Sequence, residues 1–144
     1  MSTGIYFDTS ALAKWYINES GSDDVEKYIQ ERGPVDISDL TVIELRCLVA
    51  RRRREKNITA GVEMEIFSTF QEDIRRRFLV CNPFPDGLAA ATVNLIPLLG
   101  NIPVRTLDAL HLVIARELSS EIVVTADRVM AAGAKALGLQ VVLF

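Results

Sequence analysis

The sequence predicts an α/β fold in which a central, mostly parallel sheet lies between helices on both faces, as a three-layer sandwich. Short apolar segments alternate with longer segments of helical character, which is the order of parallel strands joined by helices. The apolar segments also lack the polar alternation of a half-exposed strand, so helices are expected on both faces of the sheet. A chain of 144 residues is expected to form one domain, residues 1–144.

In the first half of the chain, each predicted helix has a recognisable start or end. Hydroxyl and acidic side chains favour helix starts, whereas Gly33-Pro34 stops a helix. In chain order we expect a strand over 5–7, a helix over 11–17 capped by Thr9 or Ser10, a helix from 22 to 32, a strand over 35–38, and helices over 41–56 and 59–77.

The second half continues the same alternation. Pro83 and Pro85 interrupt the chain after an extended segment, and Asp86 is expected to cap the next helix. The predicted elements are a strand or extended link over 78–81, a helix over 86–95, a helix over 106–118, a strand over 122–125, a helix over 127–137 and a strand over 140–144.

Four acidic residues stand near points where a strand gives way to a helix: Asp8, Glu44, Asp108 and Asp127. Ligands of open parallel sheets bind beyond the carboxyl ends of the strands, so these carboxylates could converge at one edge. Converged carboxylates repel one another and require a cation, and Mg²⁺ is often held by a few carboxylates plus water. The sequence therefore predicts a divalent metal site that acts on phosphates.

Each acid also has an ordinary structural interpretation. Asp8 and Asp127 could cap helices, and Asp108 could favour the first turn of its helix. Glu44 completes a capping box with Thr41, unless the helix begins earlier, in which case Glu44 is free to point at the site. One metal site explains all four together.

His111 follows Asp108 by three residues and so shares its helix face. A lone histidine beside an apolar face is more often packed and hydrogen-bonded than a ligand, and we do not include it in the predicted site.

Composition narrows the possible functions. A net charge of −3 argues against a pure nucleic-acid-binding module. Arginine runs at Arg51–Arg54 and Arg75–Arg77 suit phosphate contacts, although the second is expected to be a solvated helix end. Cys47 and Cys81 are isolated, which excludes a cysteine-histidine metal motif.

The sequence also indicates where the protein resides. It has no apolar run of transmembrane length and no signal peptide, so we expect a cytoplasmic protein with no membrane partner. The mean hydropathy of +0.22 is high for a soluble monomer. It suggests an apolar surface that is covered by a partner or by a second copy, as in a homodimer.

The sequence resembles the PIN domain, and within it the VapC-type toxins of prokaryotic toxin–antitoxin pairs. The resemblance covers essentially the whole chain. It rests on four segments in order: Tyr-Phe-Asp8-Thr-Ser-Ala-Leu, Val-Ile-Glu44-Leu, Leu-Asp108-Ala-Leu-His-Leu and Val-Val-Thr125-Ala-Asp127-Arg.

The resemblance implies a PIN-like fold and a metal-dependent endoribonuclease that uses Mg²⁺ or Mn²⁺. It implies that Asp8, Glu44, Asp108 and Asp127 form the catalytic and metal-binding cluster. Ser10 and Thr125 match polar positions that line such sites, and are accessory residues. The implied partners are an RNA substrate and a cognate antitoxin. The run Arg51–Arg54 is not required by the family pattern.

Two alternatives remain. A phosphotransferase could use Asp8 as a covalent nucleophile, but the position two residues on, where the haloacid-dehalogenase pattern has a second aspartate, holds Ser10. A non-catalytic RNA-binding or scaffold module is the other alternative. Degenerate nuclease folds lose acids, whereas all four are present here.

Overall fold

The computed structural model describes residues 2–144. In that range five strands alternate with seven helices, nearly in the predicted order. The strands are β1 (Ile5–Phe7), β2 (Val35–Ser38), β3 (Leu79–Asn82), β4 (Ile122–Thr125) and β5 (Gln140–Leu143). The helices are α1 (Thr9–Tyr16), α2 (Ser22–Arg32), α3 (Asp39–Arg54), α4 (Ala60–Arg75), α5 (Leu88–Leu95), α6 (Thr106–Glu117) and α7 (Arg128–Ala136), and a 3₁₀ turn (Ile96–Leu99) follows α5.

All five strands are parallel and form one sheet in the order β3-β2-β1-β4-β5. The chain moves outward from β1 to β2 and β3, and then returns to place β4 on the other side of β1. In register, Phe7 of β1 faces Val124 of β4. The carboxyl ends of β1 and β4 therefore lie side by side at a topological switch point, where α/β sheets bind ligands.

Two apolar cores lie on the two faces of the sheet, as the strand pattern predicts. Phe7 and Val124 face the core formed with helices α1 to α4. Their neighbours Tyr6 and Val123 face the core formed with α5, α6 and α7. Because successive side chains of a strand point to opposite faces, the short strand β1 contributes to both cores.

Helix starts are where the structure departs most from the sequence-based expectation. The cap of α1 is Asp8, not Thr9 or Ser10: its carboxylate accepts the Ala11 amide. Helix α5 starts after Gly87, at φ 71°, with no side-chain cap, so the prediction that Asp86 caps it is wrong. Asp127, predicted as the first residue of the helix over 127–137, instead caps α7, as its alternative structural interpretation allowed.

Helix α3 begins at Asp39, two residues before the predicted start. The Thr41 hydroxyl accepts the Ser38 amide at 3.4 Å, so the capping box is formed by Ser38 and Thr41. Glu44 therefore has no part in the cap, and its side chain is available for other contacts.

None of the helices within residues 2–144 combines the length and apolar character that crossing a membrane requires.

Candidate active site

Asp8 lies where β1 ends and α1 begins, and it is buried, with 4% of its surface exposed. Three donors hold its carboxylate. Ser10 Oγ and the Ala11 amide donate to Oδ1 at 2.8 and 3.0 Å, and Thr125 Oγ1 donates to Oδ2 at 2.6 Å. The cap of α1 and the end of β4 thus fix the orientation of this carboxylate.

Ser10 and Thr125 connect the carboxyl ends of β1 and β4. Their hydroxyl oxygens lie 3.2 Å apart. The Ser10 hydroxyl also accepts the Ala126 amide, and the Thr125 hydroxyl accepts the Asp127 amide at 3.0 Å. These two residues, which the sequence suggested as accessory, position both Asp8 and the turn that leads to Asp127.

Asp127 lies just after β4 and caps α7. Its Oδ1 accepts the amides of Val129 and Met130 at 2.7 and 3.2 Å. Because capping occupies one carboxylate oxygen, the other is left without a donor among residues 2–144. The capping and the ligand interpretations of Asp127 are therefore compatible.

Glu44 lies on α3 and is held by two side chains from other elements. His111 Nε2 of α6 is 2.5 Å from Glu44 Oε1, and Thr9 Oγ1 donates to the same oxygen at 2.8 Å. The side chain of His111 is 3% exposed and that of Glu44 is 22% exposed. His111 is therefore the buried partner of this contact, and Glu44 is the partner that reaches the surface.

His111 is in turn fixed from inside the protein. Tyr6 Oη of β1 lies 2.6 Å from His111 Nδ1 and 2.9 Å from Ser38 Oγ. Both ring nitrogens of His111 therefore have a partner, Tyr6 on the interior side and Glu44 on the other. Residues of β1, β2 and α6 thereby set the position of one carboxylate on α3.

Asp108 lies in the first turn of α6, one turn before His111. Its only hydrogen bond within residues 2–144 is a long one: the Arg105 amide is 3.4 Å from Oδ2. Partial burial raises the pKa of the Asp108 carboxyl, and the negative charges of Asp127 and Glu44 raise it further. Asp127 and Glu44 are therefore close enough for their charges to act on Asp108.

The acids of the cluster differ in how strongly the protein supports their charge. Burial raises the pKa of Asp8, although the His111 charge and the Thr125, Ala11 and Ser10 hydrogen bonds oppose the shift. Burial also opposes ionisation of Glu44. The His111 contact and the Thr9 hydroxyl nevertheless outweigh it, so the pKa of Glu44 lies below its usual value.

The cluster has the donor set of a hard-cation site. Glu44 Oε2, Asp108 Oδ1 and Asp127 Oδ2 accept no hydrogen bond from residues 2–144. In that same range no three His, Cys, Asp or Glu side chains stand close enough to hold one ion. The arrangement fits Mg²⁺, which is commonly bound through one or two carboxylates with water as the remaining ligands.

A family comparison agrees with this geometry. Residues 5–136 match the model of the PIN domain. The chain belongs to the PIN domain family. No curated protein matches the sequence.

Solved structures with the same fold include bacterial proteins of low sequence identity. FitAcB from Neisseria gonorrhoeae is 18% identical, with a TM-score of 0.66 and coverage of 95% of each chain. VapC20 from Mycobacterium tuberculosis, described as a Sarcin-Ricin loop cleaving toxin, is 14% identical, with a TM-score of 0.68 over 89% of this PIN domain and 93% of that chain.

A third similar structure is VapBC2 from Rickettsia felis, bound to a DNA fragment from its promoter. It is 14% identical, with a TM-score of 0.68 over 97% of this chain and 98% of that chain. At these identities the likeness concerns the fold, and it confirms the predicted PIN-like sandwich.

Sequence reasoning left three residues of this site unassigned: His111, Tyr6 and Thr9. It expected His111 to be packed and hydrogen-bonded, which is confirmed, but it did not identify the partner as Glu44. The available signal was the three-residue spacing from Asp108. Tyr6 and Thr9 gave no signal, because a tyrosine in an apolar strand and a hydroxyl at a helix start are ordinary residues.

Proposed function

We propose that this PIN domain is a metal-dependent endoribonuclease and the toxin of a toxin–antitoxin pair. In this proposal Asp8, Glu44, Asp108 and Asp127 are the catalytic and metal-binding residues, Ser10 and Thr125 are accessory, and the ion is Mg²⁺ or Mn²⁺. The observation that carries the proposal is a group of three carboxylate oxygens, on Glu44, Asp108 and Asp127, near the switch point of the sheet. None of the three accepts a hydrogen bond from residues 2–144.

The proposed chemistry assigns distinct tasks to the side chains. A bound Mg²⁺ or Mn²⁺ supplies a water of lowered pKa and positive charge for the phosphate. Asp8 is held rigid by Ser10 and Thr125, and Glu44 is held by His111, so both carboxylates keep their direction during turnover. No side-chain nucleophile is required, and the expected products carry a 5′-phosphate and a 3′-hydroxyl.

The phosphotransferase alternative fits the geometry less well. A covalent nucleophile must approach phosphorus in line, yet Asp8 is 4% exposed and both of its oxygens accept hydrogen bonds. A metal ligand needs only one remaining lone pair, which Oδ2 retains.

The proposal includes an antitoxin and a second copy of the chain as partners. The antitoxin follows from the family resemblance, and the second copy follows from the mean hydropathy of +0.22. Exposed apolar side chains also support them: Val93, Leu98 and Met64 are exposed by 70%, 59% and 71%. A monomer in light scattering at micromolar concentration would contradict the homodimer. Rescue of growth by the adjacent small gene tests the antitoxin separately.

The test of activity is cleavage of a mixed RNA substrate by the purified chain. We expect cleavage with Mg²⁺ or Mn²⁺, none with excess chelator, and none from Glu44→Gln. That substitution is informative because Glu44 takes no part in the α3 cap, so lost activity cannot be attributed to a lost cap. Asp24→Asn, an exposed acid on α2, is the matched control. A fully active Glu44→Gln variant would return Glu44 to a structural role.

A further inference from the structure

The five arginines of α3 differ in whether they form an ion pair with an acidic side chain. Arg46 and Arg53 both donate to Glu63 of α4, at 2.9 and 2.6 Å. Arg52 reaches Glu19 at 3.4 Å. Three of the five α3 arginines therefore have their charge compensated within the chain.

Arg51 and Arg54 form no ion pair within residues 2–144, and both are exposed. Positive side chains near a helix C-terminus interact favourably with its dipole, but the other α3 arginines meet that need as well. What distinguishes this pair is that both side chains line one cleft of about 520 Å³. Two uncompensated positive charges in a cleft constitute a site for anions.

The same cleft opens onto the proposed active site. Thr9, Ser10 and Glu44 line its other end. Arg51 lies about two helical turns from Glu44 and Arg54 about three, which is roughly 10 and 15 Å along the axis. At these distances the two arginines are too far from Glu44 to contact a phosphate that reacts at the site. They would contact phosphates farther along a bound chain.

The rest of the lining is mainly apolar. It includes Ile43 and Leu107, which are 53% and 47% exposed. No aromatic side chain lines the cleft within residues 2–144, so base stacking, the usual sequence-tolerant contribution to single-strand binding, is not available there. An anionic ligand in this cleft would be held mainly through its charges.

We propose that the cleft binds the single-stranded RNA that flanks the cleaved bond, with Arg51 and Arg54 contacting its phosphates. This inference rests on the proposed function, because the anionic chain is taken to continue from the acidic site. Guanidinium groups form paired hydrogen bonds with phosphate oxygens. The proposed metal ion at the acidic end would attract a phosphate of the same chain, which favours RNA. An acidic protein segment is the alternative that the poly-glutamate control tests.

The first test measures binding without cleavage. In an Asp8→Asn background, fluorescence anisotropy of a labelled oligouridine is recorded across a range of salt concentrations. The Arg51→Gln, Arg54→Gln double variant is expected to bind roughly ten-fold more weakly at moderate salt. Its salt slope is expected to fall by about 1.4, since each phosphate contact in a single strand contributes about 0.7.

The control removes the same charge elsewhere. Lys27→Gln with Arg75→Gln deletes two exposed cations from α2 and α4, and it is expected to leave the RNA affinity unchanged. Equal losses in the two double variants would show a response to net charge and overturn the proposal. An equal loss of affinity for poly-glutamate would also overturn it and indicate an acidic-peptide surface.

Cys47 provides a second, independent readout, because it lines the cleft between Glu44 and Arg51 and is exposed. Oligouridine is expected to slow alkylation of Cys47 by N-ethylmaleimide. Cys81 serves as the unreactive reference: burial, and then the Asp39 charge, raise its pKa to about 12. Unprotected Cys47 at saturating RNA would contradict the proposed path.

Both readouts are independent of catalysis. If the parent chain cleaves RNA but the arginine pair affects neither affinity nor salt slope, the cleft assignment fails and the proposed function stands. If no RNA is cleaved under any condition, the proposed function fails, and binding by the cleft is still measured directly.

Discussion

Glu63 and the acids at the carboxyl edge of the sheet differ in whether a positively charged side chain of the same chain contacts them. Glu63 of α4 accepts hydrogen bonds from two arginines of α3, and these lower its pKa. The acids at the carboxyl edge of the sheet receive hydroxyls, amides and one imidazole, but no lysine or arginine within residues 2–144. The charge of Glu63 is thus neutralised by the chain itself, whereas that of the edge acids is not.

The difference indicates what the edge cluster is for. Burial and mutual repulsion raise the pKa of Asp108, and burial raises that of Asp8. In the metal-free fold, ionisation of these two carboxyls is therefore unfavourable. Glu44, Asp108 and Asp127 each also keep one oxygen that accepts no hydrogen bond from residues 2–144. Such a cluster is explained if an external cation supplies the missing positive charge.

The largest expected effect is on catalysis. Asp8→Asn is expected to lower RNA cleavage by roughly 100-fold or more, since even outer-sphere partners of metal ligands contribute about 10- to 100-fold. The fold should persist because asparagine also caps helices. Steady-state cleavage assays and thermal unfolding of the metal-free protein measure the two effects. Cleavage at the parental rate would remove Asp8 from the site.

His111→Ala should have the next largest effect, because it removes the donor that orients Glu44. We expect roughly 10- to 100-fold weaker Mn²⁺ binding. His111→Gln, which retains an N–H donor, should restore part of the affinity. If both variants bind Mn²⁺ equally weakly, or both bind like the parent, His111 does not act through its contact with Glu44.

Glu63→Gln should show the reverse of the Asp8 result. Loss of the two arginine contacts is expected to lower the midpoint of thermal unfolding by a few degrees. RNA cleavage per folded molecule should remain close to the parental rate. A large loss of kcat in this variant would break the distinction between the two groups of acids.

The smallest expected effect is a pH dependence of stability. A carboxyl whose pKa is raised by folding binds protons more tightly in the folded state, so it costs stability as pH rises above its unfolded value of 3.8. Metal-free Asp108→Asn should therefore gain stability over the parent between about pH 4 and pH 7. Near pH 3 the difference should vanish. A gain that is constant with pH would point to packing.

Much of the fold could be predicted because its signals are local. Strand β4 was predicted with its exact bounds, since Ile122–Thr125 is a short apolar run between polar residues. Helix starts were predicted less well. The sequence analysis expects Thr9 or Ser10 to cap the first helix, whereas Asp8 caps it in the structure. The Thr125 hydroxyl of β4 holds the other Asp8 oxygen, a contact between distant residues that no local pattern reveals.

The sequence predicts the site only as a set of acids at one edge of the sheet. The hydrogen bonds that hold these acids could not be predicted, because they join residues that are distant in the chain. Glu44 and His111 are 67 residues apart, and Tyr6 and His111 are 105 apart. No local pattern shows that β1 places a phenol beneath a histidine of α6.

Calorimetric titration of the metal-free protein with Mn²⁺ at neutral pH tests the central claim most directly. The parent and Glu63→Gln are expected to bind the ion with similar affinity, whereas Asp8→Asn and Asp108→Asn should bind at least about ten-fold more weakly. If the parent takes up no Mn²⁺, or if all four proteins bind it equally, the acids at the sheet edge do not form a metal site.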